Sequence, residues 1–257
     1  MQDKFDKLKN YLTQKSKQGI CLAYSGGVDS CALLYICKDL NLVAVTFKSV
    51  FQTNEEVENA INICNYYGVR HKVIEYNPLA DETIKNNPKD RCYHCKKLIF
   101  SKLKELAPSK LIIDGTNADD LKAYRPGVKA LKELEIFSPL AEFNIAKDDI
   151  RNFAKLNEIK NFDKPSNPCL ATRLPYNTLL CEKDLNLVRD GEKIIREYGF
   201  NSCRLRLHND VARIEIPVDK FPEFIEVSDK IAEKLKNLGV KYAALDLMGL
   251  RSGSMDV

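Results

Sequence analysis

The stretch Ile20–Ser30, with the sequence ICLAYSGGVDS, decides the fold. Its first five residues suit a buried strand, and the residues that follow the stretch suit a helix. Between them lies the loop Ser25–Ser30, in which two adjacent glycines allow positive φ and a close approach of the backbone to a ligand. Successive N–H groups of such a loop turn towards an anion at the start of a helix. The stretch therefore predicts a strand, a phosphate-binding loop and a helix in direct succession.

Short apolar runs alternate with amphipathic segments through the first two-thirds of the chain, which is typical of a parallel sheet with crossover helices. The predicted strands are Ile20–Tyr24, Leu42–Phe47, Lys72–Glu75 and Leu111–Asp114, with a weaker one near Ile136. The predicted helices are Ser30–Leu40, Glu55–Tyr67, Lys96–Leu106 and Asp148–Asn157. This pattern indicates an α/β domain with a doubly wound parallel sheet.

The pattern changes after Leu180. The later segments predict helices at Asp184–Tyr198 and Phe221–Leu238 and strands at Arg204–His208, Ala212–Pro217 and Tyr242–Leu247. Three prolines and little periodicity in Asn161–Thr178 indicate a functional loop or a domain boundary. We therefore predict an α/β domain over residues 1–160, a loop over 161–180 that carries Cys169, and a smaller α+β domain over 181–257 for substrate binding and oligomerisation.

Composition excludes several classes of protein. The 257 residues are 44% hydrophobic and 30% charged, which is ordinary for a globular chain and excludes a disordered, fibrous or membrane-embedded one. A net charge of +4 suits anionic small ligands and is little for a nucleic acid. No apolar run reaches about eighteen residues, and the segment MQDKFDKLKN resembles neither a signal nor a transit peptide, so we expect a cytoplasmic protein.

A second polar motif, Asp114–Asp120, follows the fourth predicted strand with the sequence DGTNADD. Because ligands of such sheets bind outside the carboxyl ends of the strands, we expect this loop, including Thr116, to join the nucleotide site. The alternative is that Asn117 caps a helix. Further along the chain, Arg125 is either a cation for the phosphates or an ordinary surface arginine.

The cysteines have different sequence surroundings. Their number, nine, is odd and their spacing is irregular, which argues against a disulfide scaffold. Apolar neighbours indicate simple packing for Cys21, Cys31, Cys37 and Cys64.

Three further cysteines lie in polar segments near prolines, which we expect to be loops. Cys92 and Cys95 form a CxxC pair in RCYHCKK, and Cys169 lies in NPCLATR, where Arg173 would favour its thiolate. A CxxC pair is typical of a metal or redox site. The alternative is two ordinary cysteines and an accidental third.

Together, the motifs SGGVDS, GTNADD, RCYHCKK, PCLATR and LDLMGLRSGSM resemble the LarE family of ATP-dependent sulfur transferases, whose nucleotide domain is a PP-loop ATP pyrophosphatase. The resemblance implies an enzyme that adenylates a carboxylate of pyridinium-3,5-biscarboxylic acid mononucleotide and replaces a carboxylate oxygen with sulfur, for the nickel-pincer nucleotide cofactor. It implies a homo-oligomer. It also implies that pyrophosphate is held by Ser25, Gly26, Gly27, Asp29 and Ser30, with Asp29 near Mg²⁺.

The resemblance leaves two sources of sulfur. Either Cys169 gives up its own sulfur and becomes dehydroalanine, or three cysteines hold a [4Fe–4S] cluster that carries a sulfide. Because Cys92, Cys95 and Cys169 are all present, we expect the cluster, fed by a sulfide donor, with an open iron for the sulfide. Cys181 and Cys203 should be dispensable. A zinc site with His94 or His71 as its fourth ligand is the alternative.

The resemblance also extends to the substrate's phosphate. Arg204 and Arg206 alternate on a predicted strand, so both side chains share one face and match the arginines that bind this phosphate in the family. The alternative is an exposed polar face of a half-buried sheet. Glu192 and Glu223 resemble acidic positions near that phosphate.

Three other functions stay open. A tRNA thiolase shares the PP-loop domain and sometimes the three cysteines, although a charge of +4 is small for a tRNA-binding protein. An ammonia-using ligase would need no cysteine triad. A nucleotide-binding redox sensor would bind ATP without releasing pyrophosphate.

Overall fold

The computed structural model describes residues 2–122, 125–163, 167–251 and 254. The strands are β1 (Ile20–Ala23), β2 (Leu42–Lys48), β3 (Arg70–Glu75), β4 (Leu111–Ile113), β5 (Arg204–His208), β6 (Val211–Glu215) and β7 (Tyr242–Leu245). The helices are α1 (Gln2–Lys15), α2 (Val28–Cys37), α3 (Asn54–Tyr66), α4 (Glu82–Lys85), α5 (Arg91–Leu106), α6 (Pro126–Glu133), α7 (Pro139–Glu142), α8 (Lys147–Leu156), α9 (Glu182–Glu197) and α10 (Phe221–Asn237). No helix in these ranges is both long and apolar enough to span a membrane.

The chain folds into two compact units. Unit 1 comprises Met1–Pro78 and Asp90–Ser166, and unit 2 comprises Leu79–Lys89 and Asn167–Val257. Backbone hydrogen bonds join the short segment Leu79–Lys89 to the rest of unit 2. The N–H of Asn177 donates to the carbonyl of Asn87 over 2.9 Å, and the N–H of Leu180 donates to the carbonyl of Lys85 over 2.8 Å. The domain boundaries expected at residues 160 and 180 stay a prediction.

Unit 1 is built on a parallel four-stranded sheet with the order β3-β2-β1-β4. Ile20 of β1 pairs with Leu42 of β2 on one side and with Leu111 of β4 on the other. The predicted α/β fold is therefore confirmed. The weak strand expected near Ile136 is reduced to an isolated bridge between Ile113 and Phe137.

Helices cover both faces of this sheet. Alternate residues of β1 face opposite sides, as a strand requires. Ile20 and Leu22 lie in a core with residues of α1, α2, α3 and α8, whereas Cys21 lies in a second core with residues of α5 and α6. The sheet is thus doubly wound, as predicted.

The four cysteines assigned to packing, Cys21, Cys31, Cys37 and Cys64, are buried. Helix α1, in contrast, was not predicted. Its buried residues Phe5, Leu8 and Leu12 recur at helical spacing between charged residues, and this spacing was the signal for it.

Unit 2 contains a three-stranded sheet with the order β5-β6-β7, in which β5 and β6 are antiparallel and β6 and β7 are parallel. Leu205 faces α9 so closely that a Cβ atom at Gly191 would lie 2.6 Å from its Cδ1. Arg204 and Arg206 lie on the opposite face of β5, because side chains alternate along a strand. One face of the sheet is therefore apolar and helix-covered, and the other carries charge.

Candidate functional site

The loop Ser25–Ser30 closes tightly against α3. β1 ends at Ala23, and α2 begins at Val28. Gly26 has a φ of 74°, and a Cβ atom at this position would lie 3.3 Å from the Cβ atom of Ala60. The left-handed backbone and the close helix both favour glycine here.

Side chains hold the shape of this loop. The hydroxyl oxygens of Ser25 and Ser30 lie 3.1 Å apart, and the N–H of Gly27 donates to the Ser25 oxygen over 3.3 Å. The Ser30 hydroxyl donates to the carbonyl of Gly27 over 3.0 Å, and the Asn161 amide donates to the carbonyl of Gly26 over 2.8 Å. The first N–H groups of a helix have no acceptor within it, so the start of α2 suits an anion.

The loop after β4 lies against the start of α2. A Cβ atom at Gly115 would lie 3.2 Å from the backbone nitrogen of Ser30 and 3.4 Å from the Cβ atom of Asp29. The expectation that the two loops lie side by side is therefore confirmed. Thr116 is buried and donates its hydroxyl to Asp114 over 2.6 Å, so it stabilises this loop, and its contact with a nucleotide stays a prediction.

The capping expected of Asn117 is also present. Its side-chain oxygen accepts from the N–H groups of Asp119 over 2.9 Å and of Asp120 over 3.2 Å. Arg125 is exposed, and its guanidinium lies 3.0 Å from the carboxylate of Asp120. Its neighbour Tyr124 lies outside the described residues. A role for Arg125 in phosphate binding stays a prediction.

Asp29 has a partner that sequence reasoning missed. Its Oδ2 lies 2.6 Å from Nζ of Lys147, and the backbone N–H of Lys147 donates to Asp119 over 2.9 Å. Its Oδ1 is buried and accepts no hydrogen bond within the described part of the chain. Burial raises the pKa of Asp29 from its ordinary value, although the ammonium of Lys147 acts in the opposite direction. This oxygen is a buried acceptor that suits a cation.

The two cysteines of the CxxC pair lie in the first turn of α5, which begins at Arg91. The expectation of a polar loop was therefore wrong. Asn87 and Pro88 suggested that irregular structure continues past the pair, but Arg91 is buried and the helix begins there. Cys92 is exposed and Cys95 is half-buried. Residues three apart in a helix are neighbours on one side of it, so the two thiols share a side of α5.

Lys96 connects this turn of α5 with the loop after β4. Its Nζ lies 3.3 Å from the carboxylate of Asp114 and 3.5 Å from the hydroxyl of Thr116. On the other side, a Cβ atom at Gly127 of α6 would lie 2.8 Å from Cδ of Lys96 and 3.4 Å from the carbonyl oxygen of Cys92. The cysteine turn is therefore held next to the loop after β4 by a lysine that the sequence motifs did not mark.

The two histidines considered for zinc have other partners. Nε2 of His94 lies 3.3 Å from the carboxylate of Asp90, one turn earlier. Nε2 of His71 lies 2.8 Å from the hydroxyl oxygen of Thr46, which itself donates to the carbonyl of Tyr24. Because the Thr46 hydroxyl donates its hydrogen to Tyr24, Nε2 of His71 is the donor in the bond to Thr46. Burial lowers the pKa of His71, which favours the neutral ring. The neutral ring is therefore already engaged within the sheet.

In unit 2, the loop of Cys169 is held by a buried arginine. The Arg173 guanidinium is completely buried and donates to the carbonyl of Pro168 over 2.7 Å and to the side chain of Asn167 over 2.8 Å. The N–H and hydroxyl of Thr172 both donate to the carbonyl of Cys169, over 3.0 and 2.8 Å. Arg173 therefore fixes the conformation of the cysteine loop.

The arginines of β5 differ from each other. Arg206 is buried, forms two hydrogen bonds to Glu215 of 3.1 and 3.2 Å, and donates to the carbonyl of Thr172 over 2.6 Å. Arg204 is half-buried and donates to the carbonyl of Arg251 over 3.0 Å. Burial lowers the pKa of both guanidinium groups, and Arg206 lowers the pKa of Arg204 further. Extra negative charge near Arg204 would therefore be favourable.

Comparison with known proteins decides the family. The NAD synthase family model matches residues 1–99. A pyridinium-3,5-bisthiocarboxylic acid mononucleotide synthase of Lactiplantibacillus plantarum is 35% identical over 94% of this chain and 90% of its own length. The chain belongs to the LarE family. Uncharacterised proteins of Synechocystis sp. and Methanocaldococcus jannaschii are 34% and 36% identical, over 100% and 97% of this chain and 98% of each relative.

Membership of the LarE family makes the chain an ATP-using sulfur transferase. The NAD synthase match covers the strand, loop and helix around Ser25–Ser30, so it reflects the nucleotide-binding part of the fold. The match to the sulfur-transferring relative continues through the segments that contain Cys169 and β5. The family assignment therefore rests on both units.

The two glutamates named from the LarE resemblance have different surroundings. Glu192 is buried, lies 2.8 Å from Arg173, and accepts from the N–H of Leu205 over 3.1 Å. Glu223 is exposed on α10 and pairs with Lys220 over 3.0 Å. The acid that lies among the arginines of β5 and β6 is instead Glu215, which sequence reasoning missed.

The donor set for the iron–sulfur cluster of the LarE resemblance is present in part within unit 1. Cys92 and Cys95 supply two thiols on one side of a helix, and thiolates are the ligands of iron–sulfur clusters. Across the described ranges, no group of three or more His, Cys, Asp or Glu is arranged to hold a metal ion. The joining of Cys169 to this pair stays a prediction from the sequence.

Proposed function

We propose that this LarE-family enzyme uses ATP to adenylate a carboxylate of pyridinium-3,5-biscarboxylic acid mononucleotide and then replaces a carboxylate oxygen with sulfur, a step towards the nickel-pincer nucleotide cofactor. The observation that carries the proposal is the meeting of the loop Ser25–Ser30 with Gly115 beside the carboxylate of Asp29. The name and 35% identity of the Lactiplantibacillus relative support the choice of substrate.

The first step is the attack of a substrate carboxylate oxygen on the α-phosphorus of ATP. A bond forms from this oxygen to the α-phosphorus, the bond to the bridging oxygen breaks, and pyrophosphate leaves with the electron pair. The hydroxyls of Ser25 and Ser30 and the N–H groups at the start of α2 would bind the leaving pyrophosphate. These groups are held in place before ATP arrives, so little reorganisation is needed.

Asp29 would hold the Mg²⁺ that accompanies ATP. Its Oδ1 is buried without a hydrogen-bond partner within the described residues, and carboxylate oxygens are the ligands that Mg²⁺ prefers. When bound, Mg²⁺ neutralises charge on the phosphates. Lys147, at 2.6 Å from Oδ2, keeps this carboxylate oriented and balances its charge.

Sulfur delivery is proposed to depend on Cys92, Cys95 and Cys169 as ligands of a [4Fe–4S] cluster. When bound, such a cluster would supply a sulfide on the iron that has no protein ligand. Lys96 supports the proposal, because it joins the turn of Cys92 and Cys95 to the loop of Asp114. The attack of sulfur on the acyl carbon of the adenylate would release AMP.

The reaction products test the first step. With ATP and the dicarboxylate mononucleotide, we expect AMP and pyrophosphate in equal amounts, and neither product without the carboxylate substrate. Without sulfide, the acyl-adenylate should form but should not react further. Pyrophosphate release in a single turnover therefore tests adenylation independently of sulfur transfer. ADP and orthophosphate as products would contradict the proposal.

The sulfur source is tested with protein purified without oxygen. We expect a brown protein with four iron atoms per chain, repeated turnover with added sulfide, and loss of both absorbance and thiolation in Cys92→Ala, Cys95→Ala and Cys169→Ala. Pyrophosphate release should survive in all three variants, and Cys181→Ala serves as the control. Full single-turnover activity of Cys92→Ala, with dehydroalanine at position 169 after turnover, would establish the sacrificial alternative instead.

A further inference from the structure

The peptide group between Gly26 and Gly27 is the least restrained part of the loop Ser25–Ser30. Its C=O and N–H point in opposite directions, because a peptide group is planar and trans. Rotation of this group changes ψ of Gly26 and φ of Gly27, and neither residue has the Cβ atom that restricts these angles elsewhere. The glycine pair that lets a phosphate approach the backbone therefore also lets this peptide group turn over.

The direction of the peptide group decides what the loop offers to an anion. The N–H of Gly27 points towards the hydroxyl oxygen of Ser25 and donates to it over 3.3 Å, which is long for such a bond. This N–H is therefore available to a stronger acceptor such as a phosphate oxygen. If the group turned over, it would present the carbonyl oxygen of Gly26 in the same direction, and the partial negative charge of that oxygen would repel a phosphate.

The side chain of Asn161 holds the other end of this peptide group. Its amide N–H donates to the carbonyl oxygen of Gly26 over 2.8 Å. This bond would break if the group turned over, because the oxygen would then point away from Asn161. The thiol of Cys31 donates to the same oxygen over 3.4 Å, but a thiol is a weak donor. The amide of Asn161 is therefore the stronger of these two restraints.

A tight turn after α8 presents Asn161 to the loop. The N–H of Phe162 donates to the carbonyl of Ile159 over 3.2 Å, so Asn161 occupies the third position of a four-residue turn. Its φ of 68° is left-handed, and asparagine tolerates this conformation better than most residues. Ile159 is completely buried, and the N–H of Lys160 donates to the hydroxyl of Tyr67 over 3.3 Å. The turn is therefore anchored in unit 1 on both sides of Lys160.

We propose that Asn161 is a positioning residue for pyrophosphate, which keeps the N–H of Gly27 directed towards the phosphate site. Asn161 acts through the carbonyl of Gly26 and does not contact the phosphates itself. The inference rests on the proposed function, because it takes the loop Ser25–Ser30 as the site of the β and γ phosphates of ATP. Its physical basis is preorganisation, since apparent affinity falls with the fraction of molecules that present the binding-competent loop.

Removal of the amide tests this role. Asn161→Gly keeps the left-handed backbone of the turn, so the chain should fold. By isothermal titration with Mg²⁺ present, we expect this variant to bind pyrophosphate and ATP about tenfold more weakly than the wild type, as when the competent orientation falls to a tenth of the population. Affinity for AMP, which lacks the β and γ phosphates, should change little. A merely structural role would weaken the binding of all three ligands together.

Two further variants complete the comparison. Asn161→Asp keeps the size of the side chain and its tolerance of the turn but removes the donor, so it should weaken pyrophosphate binding at least as much. Asn144→Gly is the control, because Asn144 also has a left-handed φ, of 49°, and is exposed outside the loop. This variant should bind all three ligands as the wild type does. Circular dichroism monitors the fold of each variant.

The outcomes separate this inference from the proposed function. A wild-type chain that binds no pyrophosphate would contradict both. If the wild type binds pyrophosphate, wild-type affinity in folded Asn161→Gly or Asn161→Asp would overturn the role of Asn161 alone. An equal loss of affinity for AMP in Asn161→Gly, or a tenfold loss for pyrophosphate in Asn144→Gly, would overturn it as well.

Discussion

The loop Ser25–Ser30 of unit 1 and the arginine face of β5 in unit 2 are both suited to phosphate, but they present positive charge in different ways. The loop uses backbone N–H groups and two hydroxyls, and its one charged side chain, Asp29, is negative. The face of β5 uses the guanidinium groups of Arg204 and Arg206, and Glu215 neutralises one of them. A backbone site depends on dihedral angles, whereas a side-chain site depends on its counter-ions, so different substitutions should break each one.

The largest effect is expected from Asp29→Asn, which leaves the loop backbone intact. Loss of the Mg²⁺ ligand should lower adenylation by roughly 1000-fold or more, because a bound metal stabilises phosphate charge by several kcal/mol. Pyrophosphate release in a single turnover is the measurement. A variant that retains a tenth of the wild-type rate would contradict the role of Asp29.

The same variant should not lose stability. Burial raises the pKa of Asp29 above its ordinary value of 3.8, so the folded chain binds this proton more tightly than the unfolded chain does. The ionised carboxylate therefore lowers the free energy of unfolding. This loss is absent below the pKa of Asp29 in the unfolded chain and is complete above its pKa in the folded chain. At neutral pH, urea unfolding should show that Asp29→Asn is as stable as the wild type or more stable. At pH 3 and below, the variant should be as stable as the wild type or less stable.

The opposite result is expected for an acid of unit 2. Glu192→Ala removes the partner of Arg173 where both side chains are almost fully buried. Breaking such a pair leaves an uncompensated buried charge and should lower the free energy of unfolding by about 3–5 kcal/mol. Glu223→Ala is the matched control, because its pair with Lys220 is exposed and should contribute less than about 1 kcal/mol. Equal effects of the two variants in urea unfolding would contradict the assignment.

These contrasts show which parts of the site could be predicted from the sequence. The meeting of Ser30 with Gly115 was predictable, because parallel strands end at the same edge of a sheet and each motif directly follows a strand. Glycine pairs and strand ends are local signals. The predicted order of strands and helices around them was correct for the same reason.

Contacts between segments that are far apart in the sequence could not be predicted from it. Lys147 is 118 residues from Asp29, and nothing in its own neighbourhood marks it as the partner of the loop. Glu215 resembles any acid on a strand until β6 pairs with β5, which places it opposite Arg204 and within hydrogen-bonding distance of Arg206. The start of α5 was missed because polar residues around Cys92 mimic a loop, although they belong to the exposed end of a helix.

A smaller effect is expected from Gly26→Ala, which tests the dependence of the loop on its backbone. A positive φ costs a non-glycine residue about 1–2 kcal/mol, and the added Cβ atom would also press on Ala60. Gly68→Ala is the control, because Gly68 has a similar φ of 67° and nothing within 4 Å of an added Cβ atom. Gly26→Ala should lose at least as much stability in urea as Gly68→Ala, because of the added contact with Ala60, and only Gly26→Ala should weaken ATP binding. Equal ATP affinity of the two variants would remove the loop from the nucleotide site.

The smallest effect is expected from Arg204→Ala, which tests whether the two arginines of β5 have different roles. Arg204→Ala should weaken binding of the substrate mononucleotide by about tenfold, since a hydrogen bond between charged groups contributes about 1.5–3 kcal/mol. ATP affinity and the free energy of unfolding should change little, because Arg204 is half-buried and the hydrogen bond that holds it in the fold goes to a carbonyl, that of Arg251. Isothermal titration with each ligand separates these effects.

Arg206→Ala provides the comparison that makes this result interpretable. Arg206 is 3% exposed and holds Glu215 with two hydrogen bonds, so its loss should lower the free energy of unfolding by about 3 kcal/mol through the buried carboxylate left behind. A double variant, Arg206→Met with Glu215→Leu, removes both charges and should recover most of that stability. If mononucleotide affinity recovers with stability, Arg206 acts by positioning the strand, and Arg204 is the arginine that contacts the phosphate. If affinity stays low in the stable double variant, both guanidinium groups bind the phosphate, as the resemblance to the family first suggested.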